Sequence, residues 1–173
     1  MVFDEFGFSF RERLATTWAP CGKRPVVRRV EYDRRGISTA VGLTLRGKIY
    51  KRHFAGGMRS EHVIQTLKHF LHYMPRGFVL IWDRASIHKS KATKTFLTLH
   101  PEIRIEFLPA YAPELNPEEY CHGNVKQRLK NATPPNTRVV RRLLDQGFAR
   151  LRRRPDLLLH FFHAAGLTVN QLW

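Results

Sequence analysis

Acids are scarce in this chain, 14 Asp and Glu against 30 Lys and Arg, so the carboxylates placed at the ends of apolar runs stand out. Asp4 follows Val2-Phe3 at the start, Asp83 closes the run FVLIW, and Glu119 falls in ELNPEEY, just after a proline suited to the first turn of a helix. Converging carboxylates repel and raise one another's pKa unless a cation intervenes. Their hard oxygens select Mg2+ or Mn2+. Two such ions about 4 Å apart can activate a water or a hydroxyl and stabilise the leaving oxygen of a phosphodiester. Taken singly each acid is commonplace: a strand-end acid, an acid that opens a turn, and an acid at the positive end of a helix dipole. The chemistry therefore depends on the elements that would bring them together.

Those elements can be read from periodicity. A strand begins at Val2, with Asp4 at its end, and STAVGLTLRGKIYKRHF from Ser38 to Phe54 forms a hairpin turning at Arg46-Gly47. Ser60 caps a helix whose apolar face is Val63, Ile64, Leu67, Phe70 and Leu71, stopped by Pro75 and Gly77. The run FVLIW reads as a strand buried on both faces at the centre of a sheet, with Asp83 at its C-terminal end. Ser90 caps a short helix carrying Thr95, Phe96 and Leu99, and Ile103, Ile105 and Phe107 alternate as a further strand. After LPAYAPELNP, Asn116 caps a helix that opens at Pro117 and extends to about Lys130. Val140, Leu143, Leu144, Phe148 and Leu151 form the apolar stripe of the next helix, and a last one covers Asp156 to Leu167. The order is that of an α/β protein. If the first strand and the strand ending at Asp83 are adjacent and parallel, Asp4 and Asp83 approach within a few ångströms.

A formal net charge of +16 over 173 residues attracts polyanions, and nucleic acid is the natural partner. A membrane surface and a structural RNA binder carry similar charge. No apolar run approaches the roughly 20 residues of a membrane span. Cys21 and Cys121 lie far apart and outside any CxxC pair, which suits a reducing cytoplasm and predicts neither a disulfide nor a zinc site. Phe70, Phe96, Phe107 and Phe148 fall on core faces, leaving Trp18 and Tyr111 as the loop aromatics that could meet DNA.

Three blocks, DEFGF, WDRASIHKS and LPAYAPELNPEE, resemble in order the signature blocks of the mariner-like DDE transposases, in their bacterial insertion-sequence branch. The segments TWAPCGKRP and HAAGL extend the resemblance over nearly the whole chain. It implies an RNase H-like fold, a mixed central β-sheet flanked by helices, with residues 1–173 as one catalytic domain. Asp4, Asp83 and Glu119 would then be the catalytic ligands of two Mg2+ or Mn2+ ions. Thirty-five residues separate Asp83 from Glu119, close to the family's spacing, and Glu118 is the less favoured substitute. Arg84 stands where the family often has Asn, and His122 where it commonly has Trp. Arg84 could reach a DNA phosphate or weaken cation binding by repulsion. His88 could contact phosphate or be a loop histidine bonded to backbone.

Further phosphate contacts are expected from Lys89 and Lys91 after the second acid, and from Lys126, Arg128 and Lys130 after the third. The resemblance implies hydrolysis at transposon ends, then attack of the freed 3′-hydroxyl on target DNA at a TA dinucleotide, within a synaptic homodimer. Family members usually carry helix-turn-helix modules ahead of this domain. None precedes the first strand here, so a separate N-terminal DNA-binding chain is expected, or the sequence is a truncated remnant. A bacterial, cytoplasmic, nucleoid-associated setting follows from the same resemblance. Two other readings stay open: a non-catalytic DNA-binding or assembly remnant, and an RNase H-like nuclease acting on RNA–DNA hybrids.

Overall fold

The computed structural model describes residues 1–9, 16–26, 36–127 and 129–167. Its five strands are β1 (Val2–Phe8), β2 (Ile37–Leu43), β3 (Ile49–Ala55), β4 (Phe78–Trp82) and β5 (Ile103–Phe107). The helices are α1 (Ser60–Tyr73), α2 (Lys91–Thr98), α3 (Pro117–Gln127), α4 (Thr137–Arg152) and α5 (Pro155–Ala164). The strands form a single mixed sheet in the order β3-β2-β1-β4-β5. β1, β2 and β3 are antiparallel neighbours, while β1, β4 and β5 run parallel.

The hairpin turns as expected, with Gly47 at φ +68 in the left-handed region that suits glycine and its N–H donating to the Thr44 carbonyl at 3.0 Å. The β1–β4 pairing satisfies the condition for bringing two acids together. Val2 pairs with Ile81, and two residues further along each parallel strand stand Asp4 and Asp83. Asp4 is not at the end of its strand, however. β1 continues to Phe8 because all seven of its residues pair with β2 on the other side, after β4 has left the sheet at Trp82.

β1, not β4, is the middle strand, and its alternation divides two cores. Val2, Phe6 and Phe8 pack with Val125 of α3, Leu144 and Phe148 of α4 and Leu158 of α5. Phe3 packs on the opposite face with Val63, Leu67 and Phe70 of α1, Phe96 of α2, and Leu80 and Trp82 of β4. Full burial of each such side chain contributes on the order of 1.5–3 kcal/mol. In β4 the burial alternates: Leu80 and Trp82 are buried, whereas Val79 is exposed, since a strand next to the edge is covered less completely than a central one. Phe107, expected in the core, is 43% exposed at the end of β5. On α2 it is Thr93 and Phe96 that are buried, and Leu99 is exposed.

Two helix starts show how local chemistry and tertiary context divide the work. Ser90 caps α2 through its hydroxyl, which accepts the Thr93 N–H at 3.2 Å. Ser60 instead is the first residue of α1, whose cap position is Arg59 and has no side-chain cap bond. α3 ends at Gln127, short of Lys130. Across the sheet, Lys51 and His53 of β3 both bond Asp145 of α4, tying that helix to the antiparallel half.

Gly77 delivers the chain into β4 at φ +86, where an added Cβ would lie 2.2 Å from the Glu102 carbonyl oxygen. Gly166, after α5, has φ +75 but open space around it. Gly166→Ala should therefore cost only the left-handed penalty of about 1–2 kcal/mol. Gly77→Ala should cost distinctly more, because backbone must move as well. Urea denaturation of both variants measures the difference, and equal losses would contradict the close approach at Gly77.

Candidate metal centre

Strand parity decides where each acid points. Asp4 shares its face of β1 with Phe6, towards α3, whereas Glu5 shares the Phe3 face, towards Trp82 and His88. Asp83 is the first residue past β4, and Glu119 stands in the first turn of α3. The three acids, drawn from three elements, line one open cleft of about 520 Å³ together with Arg84, Lys89, Asn116 and the loop Leu108–Pro113. Glu119 is exposed there, while Glu118 is fully buried behind it.

Asp4 is held at both oxygens. Its Oδ1 accepts the Glu5 N–H at 2.7 Å, and its Oδ2 accepts the Asn116 side-chain amide at 2.7 Å. Asn116 also caps α3, its Oδ1 accepting the Glu118 N–H at 3.1 Å, so one side chain fixes the helix start and the acid on the neighbouring strand. Burial dominates the electrostatics of Asp4. Only partly relieved by the Glu5 N–H, and reinforced by the charges of Glu5, Glu119 and Asp83, it pushes the carboxyl up to about 7. A carboxylate raised by burial and by three like charges is what a divalent cation would stabilise.

Asp83 is kept ionised by a different device. His88 is buried, stacked on Trp82 at 4.2 Å, with Nδ1 2.8 Å from Asp83 Oδ1 and Nε2 2.8 Å from Glu5 Oε1. Burial would depress this histidine, but the hydrogen bonds to Asp83 and Glu5 outweigh it and raise the imidazole to about 10. The hydrogen bond from His88 in turn holds Asp83 below the usual carboxylate range. Of the two expectations for His88, the structure shows the backbone-bonded histidine and not a surface ready for phosphate: the ring is buried, Nδ1 faces the Asp83 carboxylate and, at 3.2 Å, its backbone carbonyl, and Nε2 faces Glu5. Glu5, its second partner, carried no signal in the sequence beyond adjacency to Asp4.

A third feature is legible as spacing. Glu119 and His122 are three residues apart on α3 and so share a face. Asp4, Glu119 and His122 each present a ligand atom within 4.8 Å of the others, the only such group of three among the described residues. His122 is buried against the Phe6 ring at 4.5 Å, and burial followed by the Lys126 charge pushes it down to about 3, leaving a neutral imidazole.

The remaining sites expected from sequence fall in different places. Arg84 is exposed at the cleft with its guanidinium 5.4 Å from the Phe107 ring centroid, and Lys89 is exposed beside it. Lys91 is exposed at the start of α2 and does not line the cleft. Lys126 lies over the Phe6 ring at 5.2 Å, close to His122. Lys130 is exposed in the turn beyond α3, and Arg128 lies outside the described residues. Tyr111 is fully exposed in the cleft-lining loop at φ +58, and Trp18 is exposed in a loop away from it.

A mixed five-stranded sheet flanked by helices, with β1 antiparallel to β2 and parallel to β4, is the RNase H-like fold. The chain belongs to the DDE superfamily endonucleases, whose family profile matches residues 1–140. Among solved structures, the Mos1 transposase paired-end complex with left transposon end superposes with a TM-score of 0.65 at 17% identity, covering 99% of this chain and 56% of that one. The catalytic domain of Mos1 mariner transposase gives 0.62 at 16% identity over 98% of this chain and 83% of that one. The mariner Mos1 paired end complex with Mg gives 0.64 at 18% identity, over 98% and 56%. The chain thus spans little more than half of the longer Mos1 chains. No curated protein matches it at the sequence level. Among the described residues no helix is long and apolar enough to cross a membrane.

Two outcomes follow from the geometry of Asp4. Its folded pKa of about 7 lies above the unfolded 3.8, so its contribution to stability is full below pH 4 and is lost as pH rises through 7. In EDTA, Asp4→Asn should flatten that decline, and Mn2+ should bind more tightly as pH rises through 7 because it no longer displaces a proton. Denaturation and calorimetric titrations from pH 5 to 8 measure both. Asn116→Ala should lower metal affinity about 10–100-fold by freeing Asp4, with a smaller loss of stability of about 1 kcal/mol from the missing cap. Unchanged affinity in that variant would remove Asn116 from the centre.

Proposed function

We propose that this chain is the catalytic domain of a transposase of the bacterial insertion-sequence branch, cleaving DNA at transposon ends and transferring the freed strand to a target. The observation that carries the reading is the convergence of Asp4, Asp83 and Glu119 on one cleft flanked by exposed Arg84 and Lys89, in a chain of net charge +16. The Mos1 structures it resembles include a paired-end complex with Mg, another with Mn, and a strand transfer complex.

Asp4, Asp83 and Glu119 would hold two divalent cations. When bound, these supply activation of water or of a DNA 3′-hydroxyl and charge stabilisation at the leaving oxygen. The protein's own side chains position and exclude. Asn116 and the Glu5 N–H aim the two oxygens of Asp4, and His88 presents Asp83 in its ionised form. Asn116 and Pro117 set the turn that points Glu119 into the cleft while Glu118 is turned inward. No side-chain nucleophile is called for. Arg84 and Lys89 would bind the phosphodiester backbone beside the metals, and Lys91, Lys126 and Lys130 would extend that contact. A TA target, a homodimeric synapse and a separate end-recognition chain belong to this reading through the family resemblance.

Purified chain incubated with supercoiled plasmid and Mg2+ or Mn2+ should nick it, and Asp83→Ala should abolish nicking while leaving DNA affinity and its steep salt dependence unchanged. DNA binding without cleavage by either protein would instead make the chain an assembly or DNA-binding module. Preferential cutting of an RNA–DNA hybrid would make it a nuclease of the same fold.

A further inference from the structure

Behind Glu119 the structure holds a buried polar pair that the three-carboxylate scheme does not use. His122 is 2% exposed and Glu118 fully buried, four residues apart on the inner face of α3. Nε2 of His122 has no hydrogen-bond partner, and Glu118, whose other neighbour is the buried Cys121 thiol, turns Oε2 towards it at 3.5 Å. Buried polar groups are rarely left unpaired without a role. The other ring nitrogen, Nδ1, points the opposite way, 4.0 Å from Asp4 Oδ2.

That distance has a specific meaning. Ligand atoms on opposite sides of an ion at about 2.1 Å each lie about 4.2 Å apart. Nδ1 and Asp4 Oδ2 are close to that span, and Asp4, Glu119 and His122 can each offer one ligand atom within 4.8 Å of the other two. With a proton on Nε2 facing Glu118, the lone pair of Nδ1 faces Asp4, which is how a carboxylate orients a metal-binding imidazole.

We propose that His122 is a ligand of the cation shared by Asp4 and Glu119, through Nδ1, and that Glu118 is the residue that orients it. This half of the centre is then a mixed nitrogen and oxygen site, while the Asp83 side stays all oxygen. A nitrogen donor is poorly matched to Mg2+, which demands hard oxygen ligands, and better matched to a transition ion, so the shared position prefers Mn2+. The inference rests on the metal reading of Asp4 and Glu119 given above, and goes beyond it in naming a fourth ligand and an ion preference.

Electron spin echo envelope modulation of Mn2+ bound to the wild-type chain tests it directly. The expected result is coupling to a directly bound imidazole nitrogen that changes when the histidines are labelled with 15N and disappears in His122→Phe. In titrations the preference for Mn2+ over Mg2+ should fall about tenfold in the same variant, and Glu118→Gln should weaken Mn2+ binding about tenfold while retaining the coupling. His122→Gln serves as a second replacement should Phe not fold at this position, and the wild-type spectrum needs neither. Mn2+ bound without nitrogen coupling, or with coupling that survives loss of His122, overturns the role of His122 alone. Failure of Mn2+ to bind, or binding indifferent to Asp4→Asn, overturns the metal centre itself and this inference with it.

Discussion

A carboxylate in the middle of a strand covered on both sides is an expensive placement, and the structure around Asp4 is organised by that expense. Desolvation favours the neutral acid. Two hydrogen-bond donors, the Glu5 N–H and the Asn116 amide, offset part of it, yet three further carboxylates stand close enough to add to it. A basic chain with so few acids has concentrated several at one end of one parallel strand pair. His88 brings positive charge to Glu5 and Asp83, and Lys89 acts on Asp83 from the cleft rim, but neither bonds Asp4.

The two faces of β1 solve the same problem differently. On the Phe3 face, the charge of Glu5 is matched by a buried histidine stacked on Trp82, a closed arrangement complete within the protein. On the Phe6 face, Asp4 meets Glu119 across an open cleft and a neutral His122 behind it, with Lys126 over the Phe6 ring and no ion pair to Asp4 from a Lys or Arg among the described residues. One side is a support and the other a receptor. The antiparallel half of the sheet holds β1 in register well past the point where β4 ends, so that Asp4 is paired within a strand and not at its end.

Much of this was legible in residue pattern. The hairpin, the Ser90 cap, the turn at Asn116-Pro117 and the stripe of α4 all follow from local rules, and each is found in the structure at or near the expected position. Where the reading failed, a distant partner decided. Phe107 carries a core-like pattern, but β5 is an edge strand and leaves it exposed beside Arg84. FVLIW suggests burial on both faces, yet the middle place in the sheet belongs to β1. His88 carries no mark that distinguishes a surface contact from a buried support, because Glu5 lies 83 residues away along the chain.

By itself, then, the sequence determined most of the elements that carry the acids, since caps, turns and periodicity act within a few residues. It also made polyanions the expected partners, because net charge is a property of composition. Only the tertiary structure decided which of two adjacent glutamates faces the cleft, that Asn116 bonds Asp4 as well as capping a helix, and that His122 stands within ligand distance of Asp4. Those outcomes depend on the rotation of α3 against β1. That rotation is set by packing Val125, Leu144 and Phe148 into one core, an interaction among residues too far apart in the chain for any local pattern to express.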